Sequence, residues 1–332
     1  MNSNCAAFLA GGIGDQLLHL SQLQAFSKLY SSRVDLYCQH QNIMSLILEK
    51  SEWSGKIFDN ADLKKISNLS KFSNSIRSLE HKKYQNAIIC HPSTSLKLAS
   101  SLSKIPNRIG VKSSLFDIFL LTEKLNIADK QTNSVWGHRP FVQAFNDFLD
   151  HQHQNPIGTT PIFIDPKNKT KAEKFLAKYQ KPHIIVNLYT ADKLRRWPIS
   201  HAIDLLSKLS KATNCSIFLS SGSDAIRWNE DFLDQWPKNI CKPIDLSKIC
   251  SSITDELGFY HSADLYIGVN SFTSNLAINC DLPSLVIYNK RNDFLNYRQN
   301  SIGVFSENTK DLSTITEAQF FDCFKRIKIA QT

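Results

Sequence analysis

The chain has 332 residues, 42% of them hydrophobic, and a formal net charge of +9, enough apolar material for two ordinary domain cores. The positive balance favours an anionic partner, whether nucleic acid, a phosphorylated substrate or an acidic membrane surface. No uncharged apolar stretch approaches the ~20 residues that span a bilayer, the N-terminus lacks the basic opening and long apolar run of a signal peptide, and the eight cysteines include no Cys-x-x-Cys pair, so a membrane span, a secretory leader and a metal site are not expected, and reduced thiols in the cytoplasm are.

Ala6 to Ala10 form a short apolar run that meets Gly11-Gly12-Ile13-Gly14-Asp15, after which Leu17, Leu18, Leu20, Leu23, Phe26 and Leu29 recur at helical spacing. Strand, glycine turn and helix open a Rossmann-like unit. Gly12 and Gly14 let the chain turn sharply and let a substrate approach the backbone. Asp15 falls at a helix N-terminus, either as a capping residue or as a stabilised functional carboxylate. The third glycine of a dinucleotide fingerprint is absent. Asp35, placed at the end of a second strand-like run from Val34 to Cys38, still stands where a ribose-binding acid would, which keeps an NAD-type oxidoreductase as an alternative.

Ala87 to Cys90 reads as a buried strand, followed by a helical stretch, Pro106 and Asn107-Arg108-Ile109-Gly110. Lys97, Lys104, Arg108 and Lys112 make this passage basic. A helix is expected from His138 through Leu149, after Trp136-Gly137. The polar stretch from His151 to Gly158 reads as an interdomain linker.

The second half starts near Pro161 to Asp165, with a helix over Lys167 to Tyr179. Ile184 to Asn187 is a short β-branched run, and from Pro198 the residues Ile199, Ile203, Leu205, Leu206 and Leu209 fall near one helix face. Pro198 suits a first helical turn, where its missing N–H is no loss. The loop between them, Leu188 to Trp197, sets three cations (Lys193, Arg195 and Arg196) and the Thr190 hydroxyl beside a helix N-terminus, where unpaired N–H groups and the helix dipole favour an anion. It reads as a phosphate site, or as a basic surface loop with Trp197 tucked into the core. Ser216 to Leu219 is a strand run ending in Ser220 to Asp224. Leu265 to Val269 is another, continuing through Asn270-Ser271-Phe272-Thr273-Ser274-Asn275 toward Pro283. Thr314 to Ala330 has the spacing of an amphipathic helix.

Three of these passages together resemble the heptosyltransferases, glycosyltransferase family 9: Gly14-Asp15 followed by Leu17-Leu18-His19-Leu20, Arg195-Arg196-Trp197-Pro198 between strand and amphipathic helix, and the strand-turn-helix from Leu265 to Pro283. The resemblance covers most of the chain. It implies an α/β fold of GT-B architecture, two Rossmann-like domains facing across a cleft. Residues 1–155 would hold the acceptor, residues 156–312 the nucleotide sugar, and residues 313–332 form a helix crossing back to the first domain. It implies inverting, metal-independent transfer of a heptose or related sugar from a nucleotide diphosphate donor, an ADP-sugar above all, to a hydroxyl of a lipopolysaccharide core or other glycan. The enzyme would work at the cytoplasmic face of the inner membrane, with no separate cofactor and no nucleic-acid partner.

In that family an aspartate at the position of Asp15 is the proposed general base, and a basic residue at the position of Arg195, commonly lysine, contacts the diphosphate. An arginine keeps the charge and adds a planar fork. Gly12, Gly14, Thr190, Lys193 and Arg196 join the binding set, Asp224 takes the place of an acid that meets the nucleoside, with helix capping as its other reading, and Asn270, Ser271, Phe272, Thr273, Ser274 and Asn275 form the donor pocket. The pattern is broken there: Asn270 stands for aspartate, Phe272 for glycine and Asn275 for histidine. Asparagine bonds a hydroxyl but carries no charge, so the donor pocket is read as altered. A non-catalytic sugar-nucleotide or lipid-binding relative remains the second reading.

Overall fold

The computed structural model describes residues 4–127, 138–156, 160–220, 222, 225–289 and 300–327. The chain divides into two compact units, Met1–Pro161 and Ile162–Thr332.

In the first unit the strands are β1 (Cys5–Phe8), β2 (Val34–Cys38), β3 (Ser54–Asp59), β4 (Asn86–Ile89), β5 (Asn107–Val111) and β6 (Glu123–Leu125). Its helices are α1 (Ile13–Leu17), α2 (Leu20–Leu29), α3 (Gln41–Ile47), α4 (Ala61–Lys64), α5 (Leu69–Lys82), α6 (Thr94–Leu102), α7 (Asp117–Leu120) and α8 (His138–His151). The second unit opens with α9 (Pro166–Leu176) and continues through β7 (His183–Asn187), α10 (Ile199–Thr213), β8 (Ser216–Leu219), α11 (Ile226–Gln235), β9 (Ile244–Asp245), α12 (Ile253–Tyr260), β10 (Leu265–Val269), α13 (Phe272–Asn279), β11 (Ser284–Tyr288), β12 (Ser301–Phe305) and α14 (Glu317–Arg326).

Both sheets are parallel and share one topology, β3-β2-β1-β4-β5-β6 in the first and β12-β11-β10-β7-β8-β9 in the second. The cause is legible in the strands. β1, β4, β7 and β10 are buried along their whole length, as befits short apolar runs covered by helices on both faces. In a doubly wound sheet of this order, ligands bind beyond the carboxyl ends of the strands where the chain reverses direction. That point lies between β1 and β4 in the first unit and between β7 and β10 in the second.

One expectation is revised. Pro198 is the N-cap of α10, one residue before the first turn. The terminal helix α14 is built into the second unit: Phe320 packs 6.0 Å from the Trp197 ring, and Phe321 and Phe324 cover the same core. Its apolar stripe is thereby taken up within Ile162–Thr332.

Candidate functional site

Trp197 anchors the organising loop of the second unit. It is fully buried, its N–H bonds the Leu188 carbonyl at 3.1 Å, and its indole donates to His201 Nδ1 at 2.9 Å. His201 Nε2 lies 2.9 Å from the Ile315 carbonyl, which makes Nε2 the protonated nitrogen and Nδ1 the acceptor. With both ends held, Leu188 to Trp197 is a fixed loop at the carboxyl end of β7.

Within it, Asp192 accepts the Leu194 N–H at 3.0 Å and caps a single 3-10 turn, Lys193–Arg195. The same carboxylate takes Arg195 Nε at 3.1 Å, and Arg195 Nη1 reaches the Asn270 carbonyl at 3.4 Å. These bonds use two of the five guanidinium N–H groups. Arg195 is half-buried and Lys193 exposed. Arg196 is engaged differently. Its guanidinium stacks 4.4 Å from the centroid of the Tyr189 ring and 5.6 Å from that of Trp228, donates to the Thr190 carbonyl at 2.8 Å and meets the Tyr189 hydroxyl at 3.1 Å. Arg196, expected in the binding set, thus also braces its own loop through the Thr190 carbonyl and the Tyr189 ring.

β10 delivers the other side of the crevice. Ser271 is the N-cap of α13. Its N–H is taken by Ser274 Oγ at 3.0 Å, and the Asn270 N–H by the Ile287 carbonyl at 3.0 Å. An anion at this helix N-terminus is therefore left the first-turn N–H groups of Phe272 and Thr273. Beneath it Tyr266 OH contacts Thr273 Oγ1 at 3.0 Å, and Thr273 Oγ1 contacts Ser271 Oγ at 2.8 Å. Gly268 makes room for this arrangement: a Cβ there would lie 2.6 Å from both Tyr266 OH and the Asn187 carbonyl. Phe272 is half-buried and Asn275 buried. Asp224 lies outside the described residues, as do Ser221 and Ser223.

A second polar network supports the ends of β7 and β8. Asn187 Nδ2 donates to the Ser220 carbonyl at 3.3 Å, Ser220 Oγ donates to Glu256 Oε1 at 2.5 Å, and Ser220 Oγ meets Tyr260 OH at 2.7 Å. Burial pushes the Glu256 carboxyl up to about 7 against the opposing bond from Ser220. Sequence reasoning missed Glu256, because an acid followed by Leu257 on a helix carries no mark of burial until the packing is known.

In the first unit the turn after β1 needs its glycine: Gly11 has φ 95, a left-handed conformation. Its N–H donates to Gln39 Oε1 at 3.2 Å, which also receives Lys64 Nζ at 3.1 Å, and its carbonyl accepts Gln16 Nε2 at 3.0 Å. Gly12 is the N-cap of α1, and Asp15 at the third helical position reaches back to the Gly12 N–H at 3.0 Å. The capping reading of Asp15 is realised in this bond, which also fixes its half-buried carboxylate at the β1/β4 crevice beside half-buried Gly14. His91, half-buried just beyond β4, shares that crevice by topology and went unremarked in the sequence.

Asp35 is not a ribose ligand. It sits near the start of β2, where its carboxylate accepts Tyr84 OH at 2.6 Å and Lys56 N–H at 2.8 Å. That removes the ground for the NAD oxidoreductase alternative. The cations of the basic passage have different surroundings. Lys97 is fully buried in an ion pair with Asp117 at 2.6 Å and Arg108 donates to the Leu120 and Ile105 carbonyls, so these two act in the fold, while Lys104 forms an exposed pair with Glu80. An open depression lined by Arg33, Glu49, Lys50 and Glu52 lies at the start of β3, the opposite end of the sheet from the crevice.

Among the described residues no group of three or more His, Cys, Asp or Glu could hold a metal ion, and no helix is long and apolar enough to cross a membrane. All eight cysteines are free and five are buried.

Two parallel Rossmann-like units of identical strand order define a GT-B fold. No protein-family model and no curated protein sequence matches the chain. Solved structures share its fold along nearly its whole length. A glycosyl transferase family 9 protein from Veillonella parvula is 16% identical, covering 98% of this chain and 96% of its own, at a TM-score of 0.75. The Escherichia coli heptosyltransferase WaaC, solved with ADP-2-deoxy-2-fluoro heptose, is 14% identical over 97% and 98% at 0.66. A UDP-GlcNAc 2-epimerase from Neisseria meningitidis, bound to UDP-GlcNAc, is 11% identical over 97% and 90% at 0.54. At such identities the likeness is one of fold, and one fold serves more than one reaction.

Proposed function

We propose that the chain is a glycosyltransferase that takes its sugar from a nucleotide diphosphate donor and passes it to a hydroxyl acceptor with inversion and without a divalent metal. The observation that carries the reading is the meeting of Arg195 with the Asn270 carbonyl. Two loops 75 residues apart in the chain converge at the switch point of the second sheet, and they bring a guanidinium and a helix N-terminus to one spot. That combination suits a diphosphate, whose charge grows as it leaves.

Asp15 is assigned the base. As the acceptor oxygen attacks the anomeric carbon, Asp15 takes the hydroxyl proton, the bond from that carbon to the diphosphate breaks, and the departing charge falls to Arg195, Lys193, Thr190 and the α13 amides. Gly12 and Gly14 shape the acceptor side, and Asn270, Ser271 and Asn275 the sugar side, with Asp224 on the ribose. The heptosyltransferase solved with an ADP-heptose analogue supports an ADP-sugar donor; a lipopolysaccharide-type acceptor at the cytoplasmic face of the inner membrane completes the reading. Phe272, on the first turn of α13, favours the second reading, a non-catalytic sugar-nucleotide or lipid-binding relative, since its bulk stands where donor sugar and phosphate would meet.

The test is nucleotide release with candidate ADP-sugars and glycolipid acceptors, comparing the native chain with Asp15→Asn. The amide oxygen still accepts the Gly12 N–H but takes up no proton. Turnover is expected to fall about 10²–10⁴-fold with ADP affinity held. Full turnover in Asp15→Asn rejects the base, and no release with any donor favours the non-catalytic reading.

A further inference from the structure

Eight of the twelve exposed large hydrophobic side chains among the described residues lie on segments that follow β2, β3 and β5, flanking the β1/β4 crevice on both sides. Leu115 and Phe119 are each 79% exposed, Phe116 71% and Leu69 72%, with Ile118 and Leu46 nearly half exposed. The loop that bears four of them is not loose. Asp117 accepts the N–H groups of Ser113 and Ser114 at 2.7 and 2.9 Å, and Lys97 joins that carboxylate at 2.6 Å, the Val111 carbonyl at 3.0 Å and Ser113 Oγ at 2.9 Å. A fully buried ion pair thus clamps a one-turn helix whose outward side chains are all apolar. Such a patch marks a binding surface.

The charges around it indicate what covers it. With the Lys97–Asp117 pair neutral as a whole, the segments 39–47, 59–72 and 112–124 carry Lys64, Lys65, Lys71, Lys112 and Lys124 against Asp59, Asp62 and Glu123. The whole unit carries seventeen cations against twelve carboxylates. Apolar anchors that project from a rigid loop within a basic surround match an anionic bilayer, where leucine and phenylalanine enter the acyl boundary and lysines meet the headgroups.

We propose that the carboxyl edge of the first sheet docks onto an anionic lipid bilayer through the Leu115–Phe119 loop, a step that rests on the glycosyltransferase reading only in making the acceptor a membrane glycolipid. Docking in this way sets the Asp15 crevice against the surface from which such an acceptor would be drawn.

The experiment is flotation of the full chain with vesicles of phosphatidylethanolamine and phosphatidylglycerol, beside phosphatidylcholine alone, with no nucleotide present. The native chain is expected to float with the anionic vesicles, less with phosphatidylcholine and less at 0.5 M salt, while Leu115→Ser/Phe116→Ser/Phe119→Ser binds at least about tenfold more weakly. An unchanged melting temperature checks the fold of this surface variant. A native chain that stays unbound, a triple variant that floats as well as the native chain, or a native dimer that the variant converts to monomer each overturns the proposal, the last by making a second copy the occupant. Flotation without nucleotide release anywhere would leave docking standing and remove the transfer reading, and release without flotation would do the reverse.

Discussion

Glu256→Gln tests the polar support beneath the crevice. Glu256 is buried on α12 with Ser220 Oγ at 2.5 Å, and its carboxyl is raised from 4.5 to about 7 by burial. Below pH 4.5 both the folded and the unfolded chain hold the proton, and the stability from this group is fully present. Between pH 4.5 and about 7 the unfolded chain releases its proton while the folded chain keeps it, so stability falls as pH rises, and it levels off above about 7. A shift of this size corresponds to about 3 kcal/mol. Glutamine keeps an oxygen for the Ser220 hydroxyl and never charges. The variant is therefore expected to match the native chain near pH 4 and to exceed it by about 3 kcal/mol at pH 8, a gain of roughly 6–12 °C in the transition of the second unit. Paired thermal and urea denaturations from pH 4 to 8.5 measure the gap. A gap that stays flat with pH, or a glutamine variant less stable at pH 8, refutes the buried, protonated carboxyl.

Lys97→Met leaves Asp117 charged and buried with its cation gone, and is expected to lower stability by about 3–5 kcal/mol; Lys97→Met/Asp117→Asn should recover much of that loss in denaturant titrations, and equal stability of the native chain and the single variant would contradict the clamp. Gly268→Ala places a methyl 2.6 Å from the Asn187 carbonyl and from Tyr266 OH, so a loss of about 1–3 kcal/mol is expected, together with weaker nucleotide binding as the Tyr266–Thr273 contact is pushed aside. Unchanged melting and binding would show that the strand relaxes around the methyl.

The doubly wound pattern was open to reading because short apolar runs alternate with helical periodicity, and because Gly11 to Asp15 and Arg195 to Pro198 punctuate it. Trp197 announced itself by size, and its alternative reading as a core anchor holds together with the loop's basic character. The proximity of Arg195 to Asn270 was not legible, since it comes from the order of parallel strands and no local periodicity encodes that. The burial of Lys97 and Asp35 escaped the sequence for a related reason: charged residues are normally solvated, and only their partners, Asp117 on α7 and Tyr84 before β4, make burial tolerable. The terminal helix shows the limit of amphipathic spacing. Its stripe says that a face is buried, and Phe320 against Trp197 says where.

The most direct measurement is calorimetric titration of the native chain with ADP, GDP, UDP and TDP, repeated on Arg195→Ala and Asp15→Asn. One nucleoside diphosphate is expected to bind at one site per chain, about tenfold or more weakly in Arg195→Ala, as loss of charge-assisted bonds implies, and unchanged in Asp15→Asn. If none of the four binds, or if Arg195→Ala binds as tightly as the native chain, the diphosphate site at the β7/β10 crevice is contradicted.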